Sequence, residues 1–343
     1  MVLTITKGNC VGGGADKRIL LHSFSEIISM ENLLTVWERF LRGKRSKKDV
    51  LDFQSRLADN LASLHSDLVN KTYRHGPYSA FNISDPKPRH IHKATVRDRV
   101  IHHLLYKTLY DYFDRRFIYD SYSCRKNKGA HKALNRFKYF AGRVSANHTK
   151  TCYVLKGDIK KFFASIDHQV LLNILKRQIT DTEILWLIER VLASFNTDQT
   201  GVGLPLGNLT SQLFANIYLN ELDRYIKQEL RIKYYIRYAD DFVILADSGY
   251  ELEDIIPLIK DFLNLNLKLE LHPQKLFIKT YSSGVDFLGW VHFPHHRQIR
   301  TTTKRRIFRQ ISGWPNPQTV NSYRGLLSHG DTYRIIKQLG LTF

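Results

Sequence analysis

Between Glu31 and about Val69 the apolar residues recur at helical spacing: Leu33, Leu34, Trp37 and Phe40, then Leu57, Leu61, Leu64 and Leu68. Residues three and four apart share one helix face, so this stretch predicts amphipathic helices around a basic turn at Arg42 to Lys48. Gly76-Pro77 and Pro86-Lys87-Pro88 then break the chain into loops and short strands. A further helix face follows in Val100, Ile101, Leu104, Leu105, Leu109, Tyr112 and Phe113. From Cys152 to Leu155 the apolar residues run without interruption, which reads as a buried strand that continues through Lys156-Gly157 to Asp158. Lys233 to Tyr238 and Phe242 to Ala246 are two β-rich runs on either side of Ala239-Asp240-Asp241, which predicts a hairpin with two adjacent acids at its tip. Gln212 is read as opening a helix that carries Leu213, Phe214, Ile217 and Tyr218, with a capping or polar-packing role open to it. Residues 1 to 18, with Gly12-Gly13-Gly14, read as a flexible start, and no Gly-Lys-Ser/Thr follows to make a phosphate loop.

At 343 residues, two or three subdomains are expected, and 43% hydrophobic content suffices for packed cores. The longest apolar runs are strand-length, far short of the roughly 20 residues a membrane span needs. No basic start followed by an apolar run suggests a secretory signal. Cys10, Cys124 and Cys152 are widely separated, which fits reduced thiols in a cytoplasmic protein and gives no zinc-like spacing. Charge changes the picture more. A net +20 and a pI of about 9.8 point to a polyanionic partner, against the alternative of a merely solvated basic surface. Residues 121 to 150 hold Arg125, Lys126 and Lys128 and no acid; residues 287 to 330 hold Arg297, Arg300, Lys304, Arg305, Arg306 and Arg309 and no acid. Both blocks read as surfaces for a nucleic-acid backbone.

A carboxylate at the end of a buried strand is costly unless something compensates it, and a metal ion would. A lone strand-end acid such as Asp158 is common; two further acids on a core hairpin are not. Nucleotidyl transfer needs such a set. Two divalent ions about 3.5–4 Å apart activate a primer 3′ hydroxyl and stabilise the leaving pyrophosphate. On this reading Asp158 and Asp240 bridge the ions and Asp241 contributes more weakly.

Tyr238-Ala239-Asp240-Asp241 resembles the catalytic box of reverse transcriptases, and other blocks precede and follow it in that family's order. Arg89 with Arg97-Asp98-Arg99-Val100 resembles the fingers motif, and Gly157-Asp158-Ile159-Lys160-Lys161-Phe162-Phe163 the first palm motif. Gly203 to Gln212, Leu269-Glu270-Leu271 through Lys275, and the primer-grip hairpin Phe287-Leu288-Gly289-Trp290 complete the series from about residue 70 to 300. The resemblance implies an α+β right-hand polymerase with an antiparallel palm sheet. Its parts would be an N-terminal extension (1–30), fingers (31–150, with 204–232 adding a helix where fingers meet palm), palm (151–203 and 233–296) and a short helical thumb (297–343). It implies Mg²⁺, with Mn²⁺ as a substitute, at Asp158, Ile159, Asp240 and Asp241. It places Arg89, Lys87, Phe163, Leu206 and Lys275 around the incoming dNTP. Phe163 would stack under the sugar and exclude a 2′ hydroxyl, although Phe162 or Phe163 is also expected in the core. Arg89 would grip the triphosphate bidentately, with Lys87 and Lys93 assisting or simply solvated. Template RNA and primer or cDNA would be the other partners.

One block departs from the common pattern. Leu206 stands where most relatives of this type have Gln, and Gln212 where they have Pro. The form Leu206-Gly207 through Ser211-Gln212 resembles the subgroup in diversity-generating retroelements, which copy a template-repeat RNA with errors at adenines and work with a small basic accessory variability protein. Leucine has no hydrogen-bonding group, so it would hold a nucleotide in register less strictly than Gln; ordinary packing at a loop bend is the alternative. Only 53 residues follow Trp290, enough for a small thumb but not for added maturase and endonuclease regions. Two other readings remain: a retron-, intron- or defence-type enzyme of ordinary fidelity, and a nucleic-acid-binding scaffold that keeps the fold without the chemistry.

Overall fold

The apolar run ending at Asp158 lacks alternation because both of its faces are buried. The structure, a computed structural model, describes residues 23–84, 88–311 and 316–341. Two short strands, β1 (Ser79–Ile83) and β2 (Arg89–Lys93), form an antiparallel hairpin. The central sheet comprises β3 (Tyr153–Asp158), β4 (Tyr235–Tyr238), β5 (Asp241–Ala246) and β6 (Phe277–Thr280), in the order β4-β5-β3-β6, every pair antiparallel. A smaller antiparallel sheet follows: β7 (Val285–Phe287), β8 (Trp290–His292) and β9 (Arg297–Ile299).

Successive strand residues point to opposite faces, and here each face has its own core. Leu155, Phe242, Ile244 and Ala246 pack with the helices Leu209–Arg224 and Gly249–Leu267 in the larger core. Val154, Ile236, Val243 and Leu245 pack on the other side with Phe137 and Phe140 of the helix Ala130–Val144, with the β7–β9 sheet and with the C-terminal helices. Gly157 pairs with Phe242 across the ladder, and a Cβ there would lie 2.3 Å from the buried Phe242 ring. Gly157→Ala is therefore expected to cost roughly 1–3 kcal/mol by overpacking, seen as a lower urea midpoint. An unchanged midpoint would mean the ring yields freely.

Several boundaries differ from the sequence reading. The expected flexible start at 1–18 lies outside the described residues. Residues 24–30 are no appendage: a short helix, Phe24–Ile28, capped by Ser23 and Glu26, buries Phe24, Ile27 and Ile28 in the larger core. The stretch to Val69 forms three helices, Met30–Phe40, Lys48–Gln54 and Leu57–Val69, and Lys48 begins the second rather than closing a turn. The helix expected to open at Gln212 starts at Leu209, with Asn208 at its N-cap, so Gln212 does not cap it. Arg297 to Ile299 extend the β7–β8 sheet, which carries sheet structure past the expected palm limit at 296. The segment expected as a thumb holds the helices Thr301–Ile311, Pro317–Leu327 and Tyr333–Gln338. Among the described residues no helix is long and apolar enough to cross a membrane.

Candidate active site

The ladder brings the three acids together. Asp158 ends β3 and Asp241 begins β5, directly opposite each other, so both side chains share one face of the sheet. Asp240 sits in the turn between β4 and β5, and its backbone carbonyl accepts from the Ile159 N–H at 3.3 Å, which ties the turn to the end of β3. A tight turn needs one residue at positive φ, and Ala239 supplies it at +55°. That conformation is costly for a residue with a Cβ and persists only where its surroundings hold it.

Arg237 does the holding. Its Nη1 donates to the Ala239 carbonyl at 3.0 Å. Its Nε and Nη2 donate to the two carboxylate oxygens of Asp223, each at 2.7 Å, and Nη2 also reaches Ser121 Oγ at 3.1 Å. Tyr235 OH donates to the same Asp223 at 2.7 Å. Arg237 and Asp223 are both fully buried. Burial opposes the charge on Arg237, but Asp223 outweighs it and holds the guanidinium pKa above its ordinary value. Sequence reading overlooked this residue, although a charged side chain inside the apolar run 234–238 was a visible signal.

The site is short of positive charge. Burial, followed by the like charges of Asp240 and Asp158, pushes the Asp241 carboxyl up to about 6 against the pull of Lys156, whose Nζ is 3.9 Å away. Asp158 is buried and accepts from Lys275 Nζ at 2.8 Å. Lys275 stands in a 3₁₀ turn, and its ammonium contacts the Asp158 carboxylate. Hard oxygen donors crowded so that one resists ionisation fit a divalent cation. Among the described residues no three His, Cys, Asp or Glu side chains close into a cage. Mg²⁺ takes few protein carboxylates and leaves positions for water and substrate phosphates. Asp158, Asp240 and Asp241, with the Ile159 carbonyl, are the groups that would hold it.

Just past Asp158, Lys161 at φ +46° turns the chain into the short helix Phe162–Ser165. Phe162 is buried, whereas Phe163 is half-exposed, and its backbone carbonyl accepts from Leu204 N–H at 2.7 Å. Arg89 opens β2 and is exposed, with no ion-pair partner among the described residues. Arg97 and Arg99 are by contrast engaged by Asp67 and Asp49. Lys87 lies outside the described residues. The Leu206 loop docks on the same hairpin: His92 N–H donates to the Leu206 carbonyl at 2.9 Å, and Asn208 Nδ2 to the His92 carbonyl at 3.1 Å. Gly207 has φ +110°, and a Cβ there would sit 2.8 Å from Ile91. The Leu206 side chain is half-exposed, Ser211 is buried and Gln212 half-buried.

Phe287 and Trp290 close the β7–β8 hairpin and are both buried, while Leu288 (φ +50°) and Gly289 (φ +86°) form its two-residue turn. The basic residues divide. Arg125 is not available to a phosphate, which corrects the sequence reading. Its side chain is buried, bonds Asp114 Oδ1 at 2.7 Å and donates to three backbone carbonyls, those of Asp114, Ile118 and Ser121. Arg297 lies over Trp290 and donates to the His329 carbonyl, and Arg300 pairs with Asp286, so both fasten the C-terminal helical segment to the β7–β9 sheet. Lys126 is exposed beside Asp111, and Lys128 lies over the exposed Tyr119 ring. Lys304, Arg305 and Arg309 are exposed on the helix Thr301–Ile311, with Arg306 half-buried.

The family model described as "Reverse transcriptase (RNA-dependent DNA polymerase)" matches residues 83–292, more than half of the chain. The chain belongs to the reverse transcriptase family. It is 25% identical over 307 residues to Protein YkfC of Escherichia coli (strain K12), covering 78% of each chain. It is 24% identical over 303 residues to the group II intron-encoded protein LtrA of Lactococcus lactis subsp. cremoris, covering 68% of this reverse transcriptase and 49% of LtrA. It thus spans about half of that longer relative. The solved apo telomerase of Candida tropicalis, truncated from its C-terminal domain, superposes with a TM-score of 0.50 at 11% identity, over 69% of this chain and 59% of that one. The fold is the right-hand polymerase fold.

Proposed function

We propose that this reverse transcriptase copies a template-repeat RNA into cDNA with frequent errors at template adenines, for mutagenic retrohoming in a diversity-generating retroelement. The observation that carries the proposal is the Leu206 loop. It is pinned through its backbone to the strand that bears Arg89, while the half-exposed Leu206 side chain offers no hydrogen bond. A base pair forming beside it would be judged by shape alone. Two divalent ions would supply the charge that activates the primer 3′ hydroxyl and steadies the leaving pyrophosphate. Asp158 and Asp240 position them, Arg89 holds the triphosphate, and the half-exposed Phe163 faces the sugar. Exposed Lys304, Arg305 and Arg309 would follow the phosphates of the template–primer duplex. A small basic accessory protein would complete the machinery.

A second reading, an intron-type enzyme of ordinary fidelity, draws on the likeness to LtrA. Primer extension on a defined RNA template, with the products sequenced, separates the two. Errors concentrated opposite adenine support the first; a uniform, low spectrum supports the second. Leu206→Gln is expected to lower adenine errors about two- to tenfold, the worth of one restored hydrogen bond. An unchanged spectrum would remove Leu206 from the account.

A further inference from the structure

The β8–β9 turn lies at the opposite end of its sheet from the Leu288-Gly289 turn, since His292 pairs with both Val285 and Arg297. A cavity of about 390 Å³ opens there, lined by Lys138, His292, His295, His296, Arg297 and His329 among others. His131 packs on His329 with ring centroids 3.8 Å apart, and His148 on His295 at 5.1 Å. Asp331 is the sole acid in the lining among the described residues. Elements far apart in sequence, the helix Ala130–Val144, the β8–β9 turn and the 329–331 loop, thus converge their basic side chains on one space.

Such crowding disfavours positive charge in the absence of an anion. Burial, then His329 and Arg297, lower the pKa of His131; burial, then His295 and Lys138, lower that of His148. His292 is buried with Nε2 unpartnered. An apolar ligand would not need Lys138 or the imidazoles, and Arg297, held by Trp290 and the His329 carbonyl, adds positive charge to the wall rather than a free donor. A group with several acceptor oxygens and about two negative charges near neutral pH matches these donors.

We propose that this cavity binds a phosphate group, either the free ion or the backbone of an RNA strand. The site is separate from the nucleotidyl-transfer carboxylates and does not depend on fidelity. The test uses the full chain with ¹³C-labelled histidine imidazoles, observed by NMR at constant pH and ionic strength. Inorganic phosphate and a 12-nucleotide single-stranded RNA are titrated separately, with chloride as the control.

The expected result is a saturable shift of the His131, His295, His296 and His329 signals that chloride does not produce. If RNA produces it and excess phosphate competes, or if only RNA produces it, the source is the RNA backbone; if only phosphate produces it, the source is the free ion. In Lys138→Gln/His295→Gln the half-saturation concentration should rise about tenfold, while dNTP-dependent synthesis persists. Shifts that follow chloride in both arms would overturn the proposal, and so would an unchanged half-saturation in the double variant. The wild-type titration needs no variant to fold.

Discussion

Asp240→Asn is expected to reduce DNA synthesis roughly 10³-fold or more without unfolding the protein. The substitution keeps the shape of the side chain and removes one negative charge. Metal-ion stabilisation of the transition state is worth several kcal/mol, and each 1.36 kcal/mol is about tenfold in rate. The fold should tolerate the change because the site already carries too much like charge: burial, then Asp240 and Asp158, push the Asp241 carboxyl up to about 6. Removing Asp240's charge relieves part of that. Primer extension in Mg²⁺ measures the loss, and a thermal melt no lower than wild type shows the fold retained. Synthesis within tenfold of wild type would show that Asp158 and Asp241 suffice and that Asp240 is not a principal ligand.

The carboxylates were legible in the sequence because strand burial and acid position are both local signals. An apolar run that ends in Asp158 and a pair of runs that bracket Asp240-Asp241 fix which residues meet, once the strands pair as the register Asp158 to Asp241 shows. What local pattern could not show was how a cation is used. Arg125 stands in an acid-free block and reads as a phosphate contact, yet its partners are Asp114 and three carbonyls brought to it by the turn after the helix Val96–Asp114. Arg297 is likewise spent on Trp290 and the His329 carbonyl. The same limit hid the N-terminal helix: Phe24, Ile27 and Ile28 look like part of an extension until Phe24 N–H meets Asp181, far along the chain. The histidines of the β8–β9 cavity are scattered over about 200 residues, so no spacing announces them.

Arg237→Met should be the most destabilising single change near the site, at about 3–5 kcal/mol, because it leaves Asp223 buried and unpaired. Stability and positioning can be separated by also replacing that partner. A buried ion pair exchanged for apolar residues of similar volume is often neutral, so Asp223→Leu/Arg237→Met should recover most of the urea-unfolding free energy. It should not recover activity. The Ala239 carbonyl would still lack its donor, and the left-handed turn that presents Asp240 would lose the bond that holds it. A hydrogen bond to a charged group is worth about 1.5–3 kcal/mol, so single-turnover primer extension by the double variant should remain about tenfold or more below wild type. If stability and synthesis returned together, Arg237 would be a core ion pair and no more. If stability returned alone, the buried arginine would be what converts a generic hairpin into a turn that can carry a catalytic carboxylate.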